Sequence, residues 1–166
     1  MVKVVLGYKT IKNSGFYEET EKRSKFISYS FSVNSELQIQ KHLKEIKSKY
    51  WDARHHVYAY SLKENFSEKF SDDGEPAGTA GLPVMNVIKS FDLNNILVIV
   101  VRYFGGTLLG TPGLRKMYSS GAKGAILNAG IADMIFCVEI GLSLNYKDYG
   151  KISGIVVEYG GKITNI

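Results

Sequence analysis

The residues best equipped for chemistry lie between Arg102 and Lys123, where Arg102-Tyr103-Phe104-Gly105-Gly106 leads through Gly110-Thr111-Pro112-Gly113 to Arg115, Lys116, Ser119, Ser120 and Lys123. A glycine loop opening a helix presents free backbone N–H groups to the positive end of the helix dipole, which makes an anion site from backbone alone. Arg115 and Lys116 fall in the first turn of that helix, where the dipole disfavours cations by about 0.3–1 kcal/mol, so a bound anion would explain them. The gap between Gly105 and Gly110 is that of the P-loop GxxxxGK[ST], but Thr111-Pro112 stands where Lys and Ser/Thr must reach the phosphates and Mg²⁺. NTP hydrolysis is therefore not expected, and the GxGxxG spacing of a dinucleotide site is absent as well. What remains is a phosphate-facing surface of Arg102, Gly105, Gly106, Thr111 as N-cap, Arg115, Lys116 and Lys123, with Pro112 at N1. The alternative is a tight strand-to-helix turn without a ligand.

Other candidates flank this loop. Arg102 leaves the central strand at its carboxyl end, where a parallel or mixed sheet presents functional side chains, and it faces either a ligand or one of Asp72, Asp73 and Glu75 in an ion pair. The cluster Asp72-Asp73-Gly74-Glu75 offers hard oxygen ligands, but it lacks the calcium-loop pattern and its distal Glu. Turn and cap chemistry is the reading favoured there, and no metal site is expected. His55 and His56 are adjacent in a strand, point to opposite faces and cannot share one metal; His55 could line a groove with Arg54, Asp72, Asp73 and Glu75. Cys137 reads as a small core residue. No Ser or Cys is paired by pattern with a base, so no catalytic set and no cofactor are expected.

These residues need elements to place them. Ile96-Leu97-Val98-Ile99-Val100-Val101 is apolar without alternation, the pattern of a strand buried on both faces. Pro112 to Ala129 follows as a helix, with Leu114, Met117, Tyr118, Ala122, Ala125, Ile126 and Ala129 on one face and Gly121 and Gly124 allowing close approach to a sheet. Phe16–Glu21 and Lys25–Val33 read as a hairpin, because Ile27, Tyr29, Phe31 and Val33 alternate with serines. Asn34 or Ser35 caps a helix to Tyr50, with Gln38 completing a capping box and Ile39, Leu43, Ile46 and Tyr50 as its apolar stripe. His55–Leu62 and Glu68–Ser71 read as a second hairpin across Lys63-Glu64-Asn65, and a helix with Pro83 in its first turn carries Val84, Val87 and Ile88. After Gly130 a strand around 136–146, a helix around 147–159 and a strand from Lys162 are expected, the front half of a second α+β unit.

Composition bounds the class. The 166 residues are 45% hydrophobic and 22% charged, which excludes a wholly disordered chain, and the longest apolar run is far short of the ~20 residues that span a bilayer. The amino terminus Met1 to Gly7 is too short for a signal peptide, and one cysteine allows no internal disulfide, so a cytoplasmic location without membrane contact is expected. The net charge of +5 is uneven, with ten Lys/Arg against five Asp/Glu in residues 1–50 and four against one in 96–134. Two basic regions suit an acidic partner such as RNA; a solvated lysine-rich surface is the alternative.

Three ordered segments, Asp52-Ala53-Arg54-His55-His56-Val57-Tyr58-Ala59-Tyr60, Phe70-Ser71-Asp72-Asp73-Gly74-Glu75-Pro76-Ala77-Gly78-Thr79-Ala80-Gly81 and Arg102-Tyr103-Phe104-Gly105-Gly106 through Gly113-Leu114, resemble the YigZ/IMPACT family over roughly residues 16 to 130. Pro112 stands where the family often has Gly, and Arg115 where an apolar residue is common. The resemblance implies an α+β amino-terminal domain over 1–133, a two-layer β-α sandwich similar to domain IV of elongation factor G with a left-handed β-α-β crossover. It also implies that residues 134–166 begin a ferredoxin-like carboxyl-terminal domain and stop about halfway. Its functional implication is regulation of translation, with RNA or the ribosome, or a protein of the translation machinery, as partner. A noncatalytic protein contacting phosphate backbone is the expectation, a protein holding a phosphorylated metabolite beside the glycine loop is the rival, and the oligomeric state stays open.

Overall fold

The structure, a computed structural model, describes residues 7–64 and 66–164. The amino-terminal segment weighed as a signal peptide and Asn65 of the second hairpin therefore lie outside the described residues, apart from Gly7. The chain divides into a larger unit that ends at Phe136 and a smaller one that starts at Cys137.

Alternation makes the first hairpin. Strands β2 (Gly15–Glu21) and β3 (Ser24–Ser32) pair antiparallel around a tight turn in which Lys22 and Arg23 both take positive φ. Helix α1 (Glu36–Lys49) then starts at Ser35, whose hydroxyl accepts from the Gln38 N–H at 3.5 Å, while the Gln38 side chain reaches back to the Asn34 N–H at 2.9 Å. Strands β4 (His55–Leu62) and β5 (Ser67–Ser71) form the second hairpin, and α2 (Gly81–Ser90) follows with Pro83 buried in its first turn.

Strand β6 (Ile96–Tyr103) enters between the two hairpins, antiparallel to β3 on one side and β4 on the other. The sheet order is β2-β3-β6-β4-β5, which places the most apolar strand at the centre. Its side chains alternate between two cores. Ile96, Val98 and Val100 pack with α2 and with α3 (Gly110–Ala129), and Leu97, Ile99 and Val101 pack with Ile39, Leu43 and Ile46 of α1. Helices thus cover both faces of an antiparallel sheet, and the expected two-layer sandwich is corrected to three layers. The reason lies in β6 itself, because a strand apolar on both sides needs cover on both.

Helix α3 buries all seven of its expected apolar positions. It lies close over β2 and β3, since a Cβ on Gly121 would collide with the Ser28 hydroxyl. Strands β1 (Gly7–Ile11) and β7 (Ile131–Ile135), which sequence patterning does not reveal, pair antiparallel as a separate ribbon.

In the smaller unit a 3₁₀ turn (Tyr146–Asp148) leads into α4 (Tyr149–Glu158). The strand expected around 136–146 is not formed beyond β7, although Val138, Ile140, Leu142 and Leu144 alternate as a strand would. No strand occupies 162–164, and the rest of that expected strand lies outside the described residues. Cys137 is exposed rather than a core residue.

Candidate functional site

The three motifs read from the sequence meet at one end of the central sheet. The register sets His55 opposite Arg102 and Lys25 opposite Tyr103, so the ends of β6 and β4, the β2–β3 turn, the segment before β4 and the loop after β5 converge there. At the centre is a buried ion pair: Arg102, 5% exposed, donates from Nη1 to Glu75 Oε1 at 2.6 Å, and Glu75 is 8% exposed. Tyr118 of α3, fully buried, donates its hydroxyl to the same oxygen at 2.8 Å. Burial pushes the Tyr118 phenol well above its ordinary value, reinforced by the charge of Glu75 and the hydrogen bond to it.

Ser24 closes the other side. Its hydroxyl accepts from Arg102 Nη2 at 3.3 Å and from the Gly105 N–H at 3.2 Å, which ties the glycine loop to the start of β3. Gly105 is required at this point, because a Cβ there would overlap the Arg23 backbone. The Arg102 guanidinium lies against the rings of Phe26 and Phe104, at 5.5 and 5.6 Å from the centroids. Its Nε is buried without a hydrogen-bond partner. Of the two roles open to Arg102, the structure gives it the ion pair, and its charge is turned inward to Glu75.

The acidic loop follows turn and cap chemistry. Asp72 accepts the N–H groups of Gly78, Ala80 and Gly81 at 2.9, 3.0 and 2.8 Å, capping α2 from outside the helix. Asp73 accepts the His56 backbone N–H at 2.6 Å through its carboxylate, and its carbonyl accepts the His55 Nδ1–H at 2.8 Å. His56 donates from Nε2 to the Tyr50 carbonyl at 2.9 Å. The two rings point to opposite faces, as alternation requires, and each turns its second nitrogen to a carboxylate at 3.8 Å, His55 to Glu75 and His56 to Asp73. Among the described residues, no three His, Cys, Asp or Glu side chains gather as a metal site.

Outside the buried cluster lie exposed basic residues, with Glu19 of β2 bonded to Ser120 of α3. Arg54, Thr111, Arg115, Lys116, Lys123 and Gly106 are exposed, and α3 carries no acidic residue. Helix α3 begins at Gly110, with Leu109 at the cap and no side-chain cap bond, so Thr111 and Pro112 occupy the second and third positions instead of N-cap and N1, and Arg115 and Lys116 fall in the second turn instead of the first. Gly110 takes φ 72°, which a residue with a side chain adopts at a cost, and the turn is made one step earlier than expected. Pro112 is still within the stretch whose N–H groups lack helical partners.

Sequence reasoning missed Tyr118 and Ser24 as members of the cluster. Tyr118 sits in an apolar stripe, and the usable signal was that a buried phenol needs a partner for its hydroxyl. Tyr103 was missed too: it donates to Asp52 Oδ1 at 2.7 Å, a bond that pushes its phenol up to about 12.

An antiparallel α+β domain whose three signature segments lock onto one Arg-Glu pair is a defined class, and comparison identifies it: residues 22–126 match the Impact N-terminal domain. The chain belongs to the IMPACT family. It is 35% identical over 146 residues to IMPACT family member YvyE of Bacillus subtilis, covering 87% of this chain and 67% of that one. It is 33% identical over 150 residues to IMPACT family member YigZ of Escherichia coli, covering 89% and 74%. A crystal structure of a hypothetical protein, 30% identical, superposes with a TM-score of 0.74 over 96% of this chain and 79% of that chain. A further family member, from Haemophilus influenzae, is 38% identical, and the chain spans only 59% of its length. No helix among the described residues is long and apolar enough to cross a membrane.

Proposed function

We propose that this protein is a translation-associated regulator that contacts the phosphate backbone of RNA or the ribosome, without catalysis, in the cytoplasm. One observation carries the reading: Arg115, Lys116 and Lys123 are exposed on a helix that has no acidic residue, beside a glycine loop against which the Lys22-Arg23 turn is packed. The contact set is Gly105, Gly106, Thr111, Arg115, Lys116 and Lys123, and Arg102 supports it from within by holding the loop. Family membership supports translation as the setting, and a likeness to elongation factor G domain IV is part of the same proposal. A protein of the translation machinery bound alongside the RNA, and residues 134–166 as the start of a ferredoxin-like domain, belong to the same reading.

Neutralising several phosphates makes affinity fall steeply with salt. Filter binding of RNA at low and at physiological ionic strength should show that fall, and Arg115→Glu with Lys116→Glu should weaken binding without unfolding the domain. Binding indifferent to salt, or absent at both, refutes the reading.

The buried Glu75-Arg102-Tyr118-His55 cluster favours a second reading, a phosphorylated metabolite held beside the glycine loop near Arg54, Asp72 and Asp73, because buried charge clusters gather at ligand sites. A thermal-shift screen with nucleotides and sugar phosphates separates the two, since a tight ligand raises the melting temperature by mass action.

A further inference from the structure

Trp51 is the sole tryptophan of the chain and is 82% exposed. Exposed aromatic side chains are common on this chain, but this one is held out by a well-braced loop. Around it the Tyr50 N–H donates to Ile46, the Ala53 N–H donates to Tyr50 at 3.0 Å and the Arg54 N–H donates to Arg102 at 3.2 Å. Asp52 is fixed by the Tyr103 hydroxyl, and the Tyr50 carbonyl by His56. The indole is thus presented from a backbone whose polar groups are tied to β6 and β4, at the end of the sheet where the family motifs meet.

Its surroundings indicate the occupant. Lys47 and Lys49 close the last turn of α1 before it, exposed Arg54 follows three residues on, and Phe104, 44% exposed, lies just past the strand that holds Asp52. The acid beside it, Asp52, is engaged by Tyr103. Lys47 and Lys49 are partly accounted for otherwise, since cations suit a helix carboxyl end, Lys47 lies 3.8 Å from Asp73 and Lys49 donates to the Tyr29 hydroxyl at 3.0 Å. The Arg54 side chain meets no acid among the described residues. An exposed indole with a cation close in the chain, at the end of the sheet from which the glycine loop leaves, matches the way unpaired bases are bound: the base stacks and the cation meets its phosphate.

We infer that Trp51 stacks on an unpaired base of a single-stranded RNA segment, with Arg54 on the adjoining phosphate. The inference rests on the RNA reading above and sharpens it from phosphate contact to preference for single strands. Because the chain has one tryptophan, its fluorescence reports this site alone. Titration of the full chain with a short oligo(A) RNA should quench the emission, and a duplex RNA of equal length should bind without quenching. Trp51→Leu should weaken oligo(A) binding about tenfold, leave duplex binding and the melting temperature unchanged, and be rescued by Trp51→Phe. Oligo(A) binding that neither quenches Trp51 nor responds to Trp51→Leu overturns the inference, leaves the indole to a protein contact and spares the phosphate reading. If neither RNA binds by fluorescence anisotropy, both fall together.

Discussion

Arg102 and Glu75 have opposite formal charges inside one core, and each is tolerable there only because the other is present. Glu75→Ala should therefore destabilise the domain by about 3–5 kcal/mol in urea unfolding, because it leaves an uncompensated guanidinium behind. Arg102→Met with Glu75→Leu should recover most of that loss; a double variant as unstable as the single one would show that the pair does more than neutralise itself. Tyr118 gives a pH test. Its phenol holds its proton more tightly in the folded state than its ordinary 10.0, so its contribution is complete below that value and is lost as pH rises above it. Tyr103 behaves alike up to about 12. In an alkaline titration followed by tyrosinate absorbance, these two of the eleven tyrosines should ionise last, Tyr118 only as the domain unfolds. Ionisation of every tyrosine together near 10 in the folded protein would contradict the geometry.

At the scale of elements, α3 and β2 meet through small residues and one awkward acid. Gly121→Val should cost about 1–3 kcal/mol by driving α3 off Ser28, read as a lowered urea midpoint with α3 still helical. Glu19 accepts from Ser120 at 3.0 Å, but its other oxygen is buried without a partner, and burial raises its pKa above 4.5. A raised carboxylate works against folding once ionised, so Glu19→Gln should raise the melting temperature at neutral pH and change it little near pH 4.5. Local pattern made α1, α3, β4 and β6 legible, since each has one period and a clear stop. The ribbon of β1 and β7 was not, because β1 mixes exposed and buried positions without alternation and β7 has no buried position at all. The apolar run of β6 marked it as a central strand, but its partners were hidden: antiparallel residues more than seventy apart, such as Phe26 and Arg102, leave no local trace. The same limit applies to the site. The chain offered Arg102 three acids, and only the fold chose Glu75 and added Tyr118 from a helix that read as purely apolar.

For the whole molecule, the division at Phe136 sets an expectation for proteolysis. Brief trypsin treatment should cut first at Lys147 or Lys151, leaving a fragment that keeps the cooperative melt of the larger unit; first cuts within 24–129 would contradict the division. The sheet order has a consequence for synthesis. Both hairpins leave the ribosome before the strand that joins them, so the emerging chain carries two ribbons, each with an apolar edge awaiting β6. At roughly 5–20 residues per second, that interval lasts seconds. Docking of β6 closes both edges in one event and brings Arg102 to Glu75, so a nascent chain stalled before Ile96 is the form most in need of a chaperone, and completion of the central strand marks the moment that need ends.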